Sequence, residues 1–202
     1  MATLSELINA VADDLNRSDM TSNCSDAVVL AIRHYDRKSW WFQEGSATFS
    51  TTASVELYPL ASDFREMEYV EAKYPGDNWQ EVTRSDFPSL KRKLQGVTVT
   101  GYPDEYAIYD NALYLGYAPN GSYTVRYYYN RSLTELTADA SNAWTTDGEE
   151  LIKARAAKKV AMDALHDTEL AGIFEASERD ALNALTDENE RRTTTGKIAP
   201  RY

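Results

Sequence analysis

The apolar residues of this chain change their spacing twice, from helical to alternating and back to helical. Residues 3–16 and a second stretch from about Ser22 to Phe42 repeat apolar side chains every three or four positions. From about residue 46 the spacing becomes two, and beyond Trp144 it returns to helical in two further segments. Hairpins of such short helices are stable only when their apolar faces pack against something. The sequence therefore predicts an α+β fold, a bundle of N- and C-terminal helical hairpins with an inserted antiparallel β-sheet region.

These changes in spacing also give the predicted domain boundaries. Residues 1–45 and 145–192 are expected to form one helical bundle domain, and residues 46–144 the inserted β-rich region. Residues 193–202 are expected to be an extended C-terminal tail, because the sequence TTTGKIAP contains glycine and proline and has no helical pattern.

Local signals define individual elements within this plan. Thr3 and Glu6 form a capping-box pattern in front of the first helix. Residues 65–73 fit either a strand or a helix, and we favour a strand. Residues 85–94 are expected to form a short helix inside the β-rich region.

Nine of the fourteen tyrosines lie between residues 101 and 130. Apolar residues alternate with others in this segment, which predicts three antiparallel strands joined as a β-meander. Asp110-Asn111 and Asn120-Gly121 are predicted to be the two connecting turns. Tyrosine suits half-buried strands, because its ring packs while its hydroxyl group reaches water or a partner.

The tyrosines outnumber the positions on one buried face of such a meander. Tyr114 and Tyr128 alternate with core positions, which places their rings on the second face. Either other parts of the chain cover these rings or they lie at an interface, and we favour an interface because exposed aromatic residues mark binding surfaces. Tyr114, Tyr117 and Tyr128 are therefore candidate contact residues.

The charge of the chain is unevenly distributed. The last twelve residues contain no acid and four basic residues, which are Arg191, Arg192, Lys197 and Arg201. This segment carries +4, and because the whole chain carries −11, residues 1–190 carry −15. An acidic body argues against a protein that binds nucleic acid by neutralising phosphates. A basic segment with no core residue beyond Ile198 suits folding onto a partner surface.

The sequence contains no constellation for catalysis, for a cofactor or for a metal. Cys24 is the only cysteine, which excludes an internal disulfide and a thiolate cluster. His34 and His166 have no second ligand at metal-binding spacing, and no phosphate loop or nucleophile motif is present. No apolar run approaches the roughly 18 residues of a membrane-spanning helix. We expect a protein that is not an enzyme, has no cofactor and does not bind a membrane.

Several segments together resemble the head-to-tail connector proteins of tailed phages, the portal adaptor or head-completion family. They are DRKSWWF, VELYPLASDFREMEYVE, GYPDEYAIYDNALYLGYAPNGSYTVRYYY, NAWTTDGEELIKARAAKKVAMDAL and FEASERDALNALTDENERR. The similarity covers residues 3–193 and rests on the order of elements as well as on the motifs. Tyr58 to Arg65 and Gly101 to Ile108 are the most specific part.

The resemblance implies a ring of identical subunits, expected to number twelve, that lies under the portal and extends the DNA channel. DNA would pass through the lumen without tight binding, which the acidic body fits. In such families the C-terminal segment reaches onto the portal, and here the candidate portal-binding residues are Arg191, Arg192, Lys197, Ile198, Arg201 and Tyr202. The three candidate tyrosines would contact neighbouring subunits or the tail and nozzle proteins. We expect synthesis in the host bacterial cytoplasm and a final location in the virion, at the head–tail interface.

Two other functions fit parts of the sequence. A glycan-binding module would stack sugar rings on the tyrosine-rich sheet, but it requires neither flanking helical hairpins nor a basic tail. A cell-wall hydrolase, as in some relatives of short-tailed phages, would need a placed carboxylate or cysteine, and the sequence indicates none.

Overall fold

The computed structural model of this chain describes residues 2–73, 76, 78–95, 100–134 and 136–193. These residues form two compact units, divided between Gln43 and Glu44 and again between Ser132 and Leu133. We call the unit that contains both ends of the described chain the helical unit, and the unit from Glu44 to Ser132 the β unit. Helices and predominantly antiparallel sheets occur together, which confirms the predicted α+β class. The predicted domain boundaries stay a prediction.

The helices and strands have the following bounds. The helices are α1 (Leu4–Asp14), α2 (Thr21–Tyr35), α3 (Phe87–Leu94), α4 (Ala143–Thr146), α5 (Glu149–Asp163) and α6 (Thr168–Thr193), with 3₁₀ turns at Ser18–Met20 and Trp41–Gln43. The strands are β1 (Glu44–Ser50), β2 (Leu57–Pro59), β3 (Phe64–Lys73), β4 (Gln80–Glu81), β5 (Thr83–Arg84), β6 (Thr100–Gly101), β7 (Glu105–Tyr109), β8 (Ala112–Leu115), β9 (Ala118–Pro119) and β10 (Thr124–Arg131).

Helix α5 is the centre of the helical unit and packs against α1, α2 and α6. Ala156, Ala157 and Ala161 are fully buried on it, and their small side chains allow the neighbouring helices to approach closely. The predicted capping box begins α1: Thr3 Oγ1 accepts a hydrogen bond from the Glu6 amide (3.2 Å), and the Glu6 carboxylate accepts one from the Thr3 amide (2.8 Å).

Helix α2 ends seven residues earlier than predicted, at Tyr35 and not at Phe42. The indole of Trp40 folds back over the end of the helix, and its Nε1 donates to the Tyr35 carbonyl (3.0 Å). Asp36 follows the helix and is buried, and its Oδ1 accepts from Gln43 Nε2 (2.8 Å). The aromatic cluster therefore caps α2 and does not continue it.

The β unit contains two four-stranded sheets with the orders β1-β10-β3-β4 and β2-β8-β7-β5. Among the described strands, β5 pairs with β7 in parallel, and so does β6 with β9. Buried side chains from both sheets form one apolar cluster, which contains Tyr58, Leu60, Met67, Val70, Ala72, Val82, Tyr106, Leu113, Leu115, Val125, Tyr127 and Tyr129. The predictions of a strand at residues 65–73 and of a helix near residues 85–94 are confirmed by β3 and α3.

The predicted β-meander is wrong in its third strand. β7 and β8 form a hairpin through Asp110-Asn111, and both turn residues have positive φ, 51° and 53°. β10, however, lies between β1 and β3 in the other sheet. Asn120-Gly121 does not close a hairpin, because the Gly121 carbonyl accepts a hydrogen bond from Thr51 Oγ1 (2.9 Å), which ties this segment to the end of β1.

Candidate assembly surfaces

The C-terminal end of α6 carries the first two candidate portal-binding residues. Arg191 and Arg192 lie in the last turn of the helix, which continues to Thr193. Cations at this position are favourable, because the backbone carbonyl groups give a helix C-terminus partial negative charge. Arg191 Nε donates to the Asp187 carbonyl (3.1 Å), and Arg192 pairs with Glu188 (2.5 Å). Both arginines are thus part of an ordered helix.

Contacts with the 3₁₀ turn fix the end of α6 in the helical unit. The Arg192 guanidinium lies over the Trp41 ring, 4.5 Å from its centroid. One turn earlier, Asn189 Oδ1 accepts from the Trp41 amide (2.8 Å). The side chain of Arg192 remains 51% exposed. The helix end therefore holds the partly exposed Arg192 guanidinium, paired with Glu188, in a defined position.

The other four candidate portal-binding residues, Lys197, Ile198, Arg201 and Tyr202, lie outside the described residues. Their assignment stays a prediction from the sequence.

Tyr114 is half-buried beneath α3 in the β unit. Its ring meets Phe87 at a steep angle with the centroids 4.8 Å apart, and Lys91 Nζ lies 4.9 Å from its centroid. Phe87 also stacks on Tyr109, whose side chain is 55% exposed. Part of the Tyr114 ring is thus covered by the same chain, and the exposed edge of this cluster is formed by Tyr109.

Tyr128 lies on the side of the other sheet that faces away from the apolar cluster. Its neighbours are Arg126, 5.4 Å from the ring centroid, and Tyr69, with ring centroids 6.2 Å apart. Arg126 also lies over Trp79 (4.2 Å) and forms an ion pair with Glu71. The result is a mixed aromatic and charged surface on which Tyr69 is 39% exposed.

Tyr117 is half-buried, with Lys93 Nζ 5.3 Å from its ring centroid. It follows β8, which carries Tyr114, whereas Tyr128 belongs to the other sheet. The three candidate tyrosines therefore do not form a single patch.

Other tyrosines of the segment are core residues, as tyrosine in half-buried strands should be. Tyr127 accepts a hydrogen bond from the Ala61 amide (3.0 Å), and Tyr129 donates one to Asp63 Oδ1 (2.9 Å). Burial and the hydrogen bond to Asp63 raise the pKa of Tyr129 to about 12. These hydroxyl groups satisfy their hydrogen bonds within the β unit.

The helical unit contains a buried charge cluster that was not predicted from the sequence. Glu178 is only 6% exposed, and its carboxylate accepts from Tyr35 Oη, Arg155 Nη1 and Lys158 Nζ, each at 2.6 Å. Burial alone would raise the pKa of Glu178, but the hydrogen bonds from Lys158, Tyr35 and Arg155 outweigh it and lower the pKa. The cluster joins α2, α5 and α6.

The spacing of buried residues on α6 could have revealed this glutamate. Ala171, Glu178 and Leu185 are the buried residues of that helix and follow one another at intervals of seven positions. An acidic side chain at such a buried position is expected either to be paired with a basic group or to belong to a functional site.

The described part of the chain contains neither a metal-ligand group nor a membrane-spanning helix. Within it, no group of three or more His, Cys, Asp or Glu side chains is placed to hold a metal ion. None of its helices is both long and apolar enough to cross a membrane.

Comparison with known proteins places the chain in a family. A search of curated proteins found no match. A family model described as SU10 adaptor protein matches residues 2–201, almost the whole chain. The resemblance to phage connectors inferred from the motifs is thereby confirmed. The chain belongs to the SU10 adaptor protein family, a family of phage head–tail adaptors.

Proposed function

We propose that this protein is a structural head–tail adaptor that assembles as a ring of identical copies under the portal. The ring extends the DNA channel and provides the docking site for tail or nozzle proteins. The observation that carries this proposal is the family match over residues 2–201, which includes both units and nearly all of the basic tail. A ring that matches a twelvefold portal would contain twelve copies.

The portal contact in this proposal is made by the end of α6 together with the segment that follows it. Arg191 and Arg192 start the contact from a helix end that Trp41 holds in place. Residues 194–202 continue it with Lys197, Ile198, Arg201 and Tyr202, a segment that has two positive charges and no acid. Cations of this kind suit an acidic partner surface and speed the encounter with it.

The tail and neighbour contacts are assigned to the β unit. Tyr109 and Tyr114 beside α3 form one aromatic surface, and Tyr69 and Tyr128 form a second on the other sheet. Aromatic side chains and arginine are enriched at the centres of protein interfaces. Stacking a sugar ring needs a free aromatic face, and Tyr114 already lies against Phe87 and Lys91, so this surface supports a protein contact better than a glycan site.

A structural and not a catalytic role fits the carboxyl groups. Among the described residues, the three carboxyl groups with displaced pKa values are Asp19, Asp86 and Glu178, and all three are lowered. A general acid working near neutral pH would need a raised pKa. The net negative charge of the chain, −11, suits a channel through which DNA slides without tight binding. The proposed location is the head–tail interface of the virion.

The test is complex formation with the cognate portal protein, measured by light scattering after size-exclusion chromatography. Deletion of residues 194–202 keeps α6 and the contact between Arg192 and Trp41, so the helical unit should unfold as in wild type while portal binding is lost. A second variant, Lys197→Gln with Arg201→Gln, removes the two positive charges of this segment and keeps Ile198 and Tyr202, so it measures the contribution of charge to portal binding. Its matched control, Ile198→Ser with Tyr202→Ser, keeps both charges. Full portal binding by the deletion variant would show that residues 194–202 do not form the portal contact.

A further inference from the structure

The helical unit presents opposite charges on opposite sides of α5. Lys153 and Arg155 are two positions apart on this helix, which separates them by about 200° around its axis. Lys153 lines a groove between α5 and α6, and Arg155 lines a hollow between α5 and α2. A subunit with two different surfaces on opposite sides can contact identical neighbours head to tail, which is the geometry of a closed ring.

The groove between α5 and α6 is acidic. Its volume is about 700 Å³, and it is lined by four acids and a single base, Lys153. Lys153 is already paired with Asp14 (3.0 Å). Glu149, Glu150 and Asp180 form no ion pair with any described residue, so the groove keeps a net negative charge. We call this feature the acidic groove.

The floor of the acidic groove is apolar, and most of its side chains are small. Phe174, Ala181 and Ala184 of α6 face it, together with Ala154 of α5. Small side chains along a helix pair leave room for the ridge of a third helix. An apolar floor with acids at its rim has the arrangement of an interface, with an apolar centre and a charged periphery.

The other side carries a row of exposed residues along α2, at one edge of the hollow, which we call the basic ridge. It consists of Leu30 and Arg33 of α2 and of Arg37 just beyond its end, at spacings of three and four residues. All three are exposed, Leu30 by 47%. The side chains of Arg33 and Arg37 make no hydrogen bond or ion pair with the described residues, whereas those of Arg155 and Lys159 beside them are paired with Glu178 and Asp163.

The neighbourhood of the basic ridge has a positive potential of its own. His34 lies in the same hollow, and partial burial together with the charges of Arg155, Arg37 and Lys38 lowers its pKa. The hollow has no acid in its lining. Acidic groups from a second copy would therefore gain attraction from several cations at once.

We propose that the basic ridge of one copy packs into the acidic groove of the next copy and forms the repeated contact of the ring. Leu30 meets the apolar floor near Phe174, while Arg33 and Arg37 pair with Glu150 and Asp180 at the rim. This inference rests on the proposed function, because it names the subunit contact of the ring proposed there. It adds a contact between the helical units of neighbouring copies to the neighbour contacts that are assigned to the tyrosines of the β unit.

The test is a charge swap on the full chain, assembled on the cognate portal. The ridge variant is Arg33→Glu with Arg37→Glu, and the groove variant is Glu150→Arg with Asp180→Arg. Either variant alone opposes like charges at every contact, and the yield of rings should fall at least tenfold. The control variant, Arg84→Glu with Arg179→Glu, makes the same change in net charge as the ridge variant at exposed positions outside both surfaces, and it should assemble normally.

Restored ring assembly distinguishes a pairing of these two surfaces from a general loss of function. In an equimolar mixture, ridge and groove variants alternate around an even-numbered ring, so that every contact again joins opposite charges and rings return. A single chain with all four substitutions should also assemble, whatever the number of copies. Circular dichroism of each variant confirms that it is folded before assembly is measured.

The outcomes separate this inference from the function on which it rests. Rings formed normally by the ridge variant, or a four-substitution chain that stays unassembled although folded, would overturn the ridge-and-groove contact and leave the adaptor function intact. Failure of the wild-type chain to assemble on the portal would overturn the proposed function itself, and this contact with it.

Discussion

Glu178→Gln tests whether the buried carboxylate stabilises the helical unit. The substitution keeps the shape of the side chain and an acceptor for Tyr35, but it removes the charge that Arg155 and Lys158 contact at 2.6 Å. Arg155 is then left without its counterion at the junction of α2, α5 and α6, and Lys158 keeps, among the described residues, only the Glu175 carboxylate at 4.0 Å. We expect a lower free energy of unfolding.

The magnitude follows from how buried each partner is. Breaking a fully buried ion pair costs about 3–5 kcal/mol, but the side chains of Arg155 and Lys158 are 28% and 27% exposed, so water offsets part of the loss. We expect about 2–3 kcal/mol, which for a chain of this length lowers the melting temperature by about 4–12 °C. Glu175→Gln is the matched control, because that carboxylate is 72% exposed and 4.0 Å from Lys158, and its effect should be under about 0.5 kcal/mol.

The effect should depend on pH in a defined direction. The pKa of Glu178 is lowered in the folded protein, so its contribution is complete above the unfolded carboxyl pKa of about 4.3 and is lost as pH falls through the lower folded value. Thermal unfolding followed by circular dichroism should show a gap between wild type and Glu178→Gln at pH 7 that shrinks toward pH 3. A variant that melts within about 1 °C of wild type at pH 7, or a gap that persists at low pH, would refute this reasoning.

Three further substitutions test packing by urea unfolding. Gly148→Ala places a Cβ 2.7 Å from a ring carbon of the fully buried Trp144 and should cost about 1–3 kcal/mol; an unchanged midpoint would mean that the ring has room to move. Asp36→Ala leaves the Trp144 indole (3.1 Å) and the Leu133 amide (3.0 Å) without their acceptor, while Gln43 Nε2 keeps its bond to the Asp36 carbonyl (3.2 Å); the loss should be about 3 kcal/mol, and one under about 1 kcal/mol would contradict that role. Tyr114→Ser should cost about 1–2 kcal/mol through its contact with Phe87, and wild-type stability would show that the ring matters only for partners.

Short-range signals explain what the sequence could predict. The capping box of α1 needs only Thr3 and Glu6, which are three positions apart, and the Asp110-Asn111 hairpin needs only two residues with positive φ. Such features depend on local geometry, and local geometry can be read from neighbouring residues. The spacing of apolar residues also gave enough information for the α+β class, since each period belongs to one kind of element.

Long-range pairing explains what the sequence could not predict. Alternation in β10 shows which side chains face a core, but it does not show which strands lie beside it. The strand pairs with β1, where Tyr127 is opposite Ala47, and with β3, where it is opposite Val70. Both partners are more than fifty positions away, and nothing in the local pattern distinguishes them from β8.

The candidate surfaces were predictable to a similar extent. The positive charge at the end of α6 is visible in the sequence, but the contact of Arg192 with Trp41 requires the folded helical unit. Tyr114 is half covered because α3 packs across it, which alternation in β8 cannot reveal. In the sequence, Arg33 and Arg37 look like an ordinary solvated helix face. Only the structure shows an acidic groove of complementary charge on the other side of α5.

The mass of the wild-type protein mixed with its cognate portal protein, measured by light scattering, tests the adaptor function most directly. We predict one stable complex whose mass equals the portal ring plus one adaptor copy per portal subunit, twelve for a twelvefold portal. Two species that elute separately at their individual masses would contradict the account.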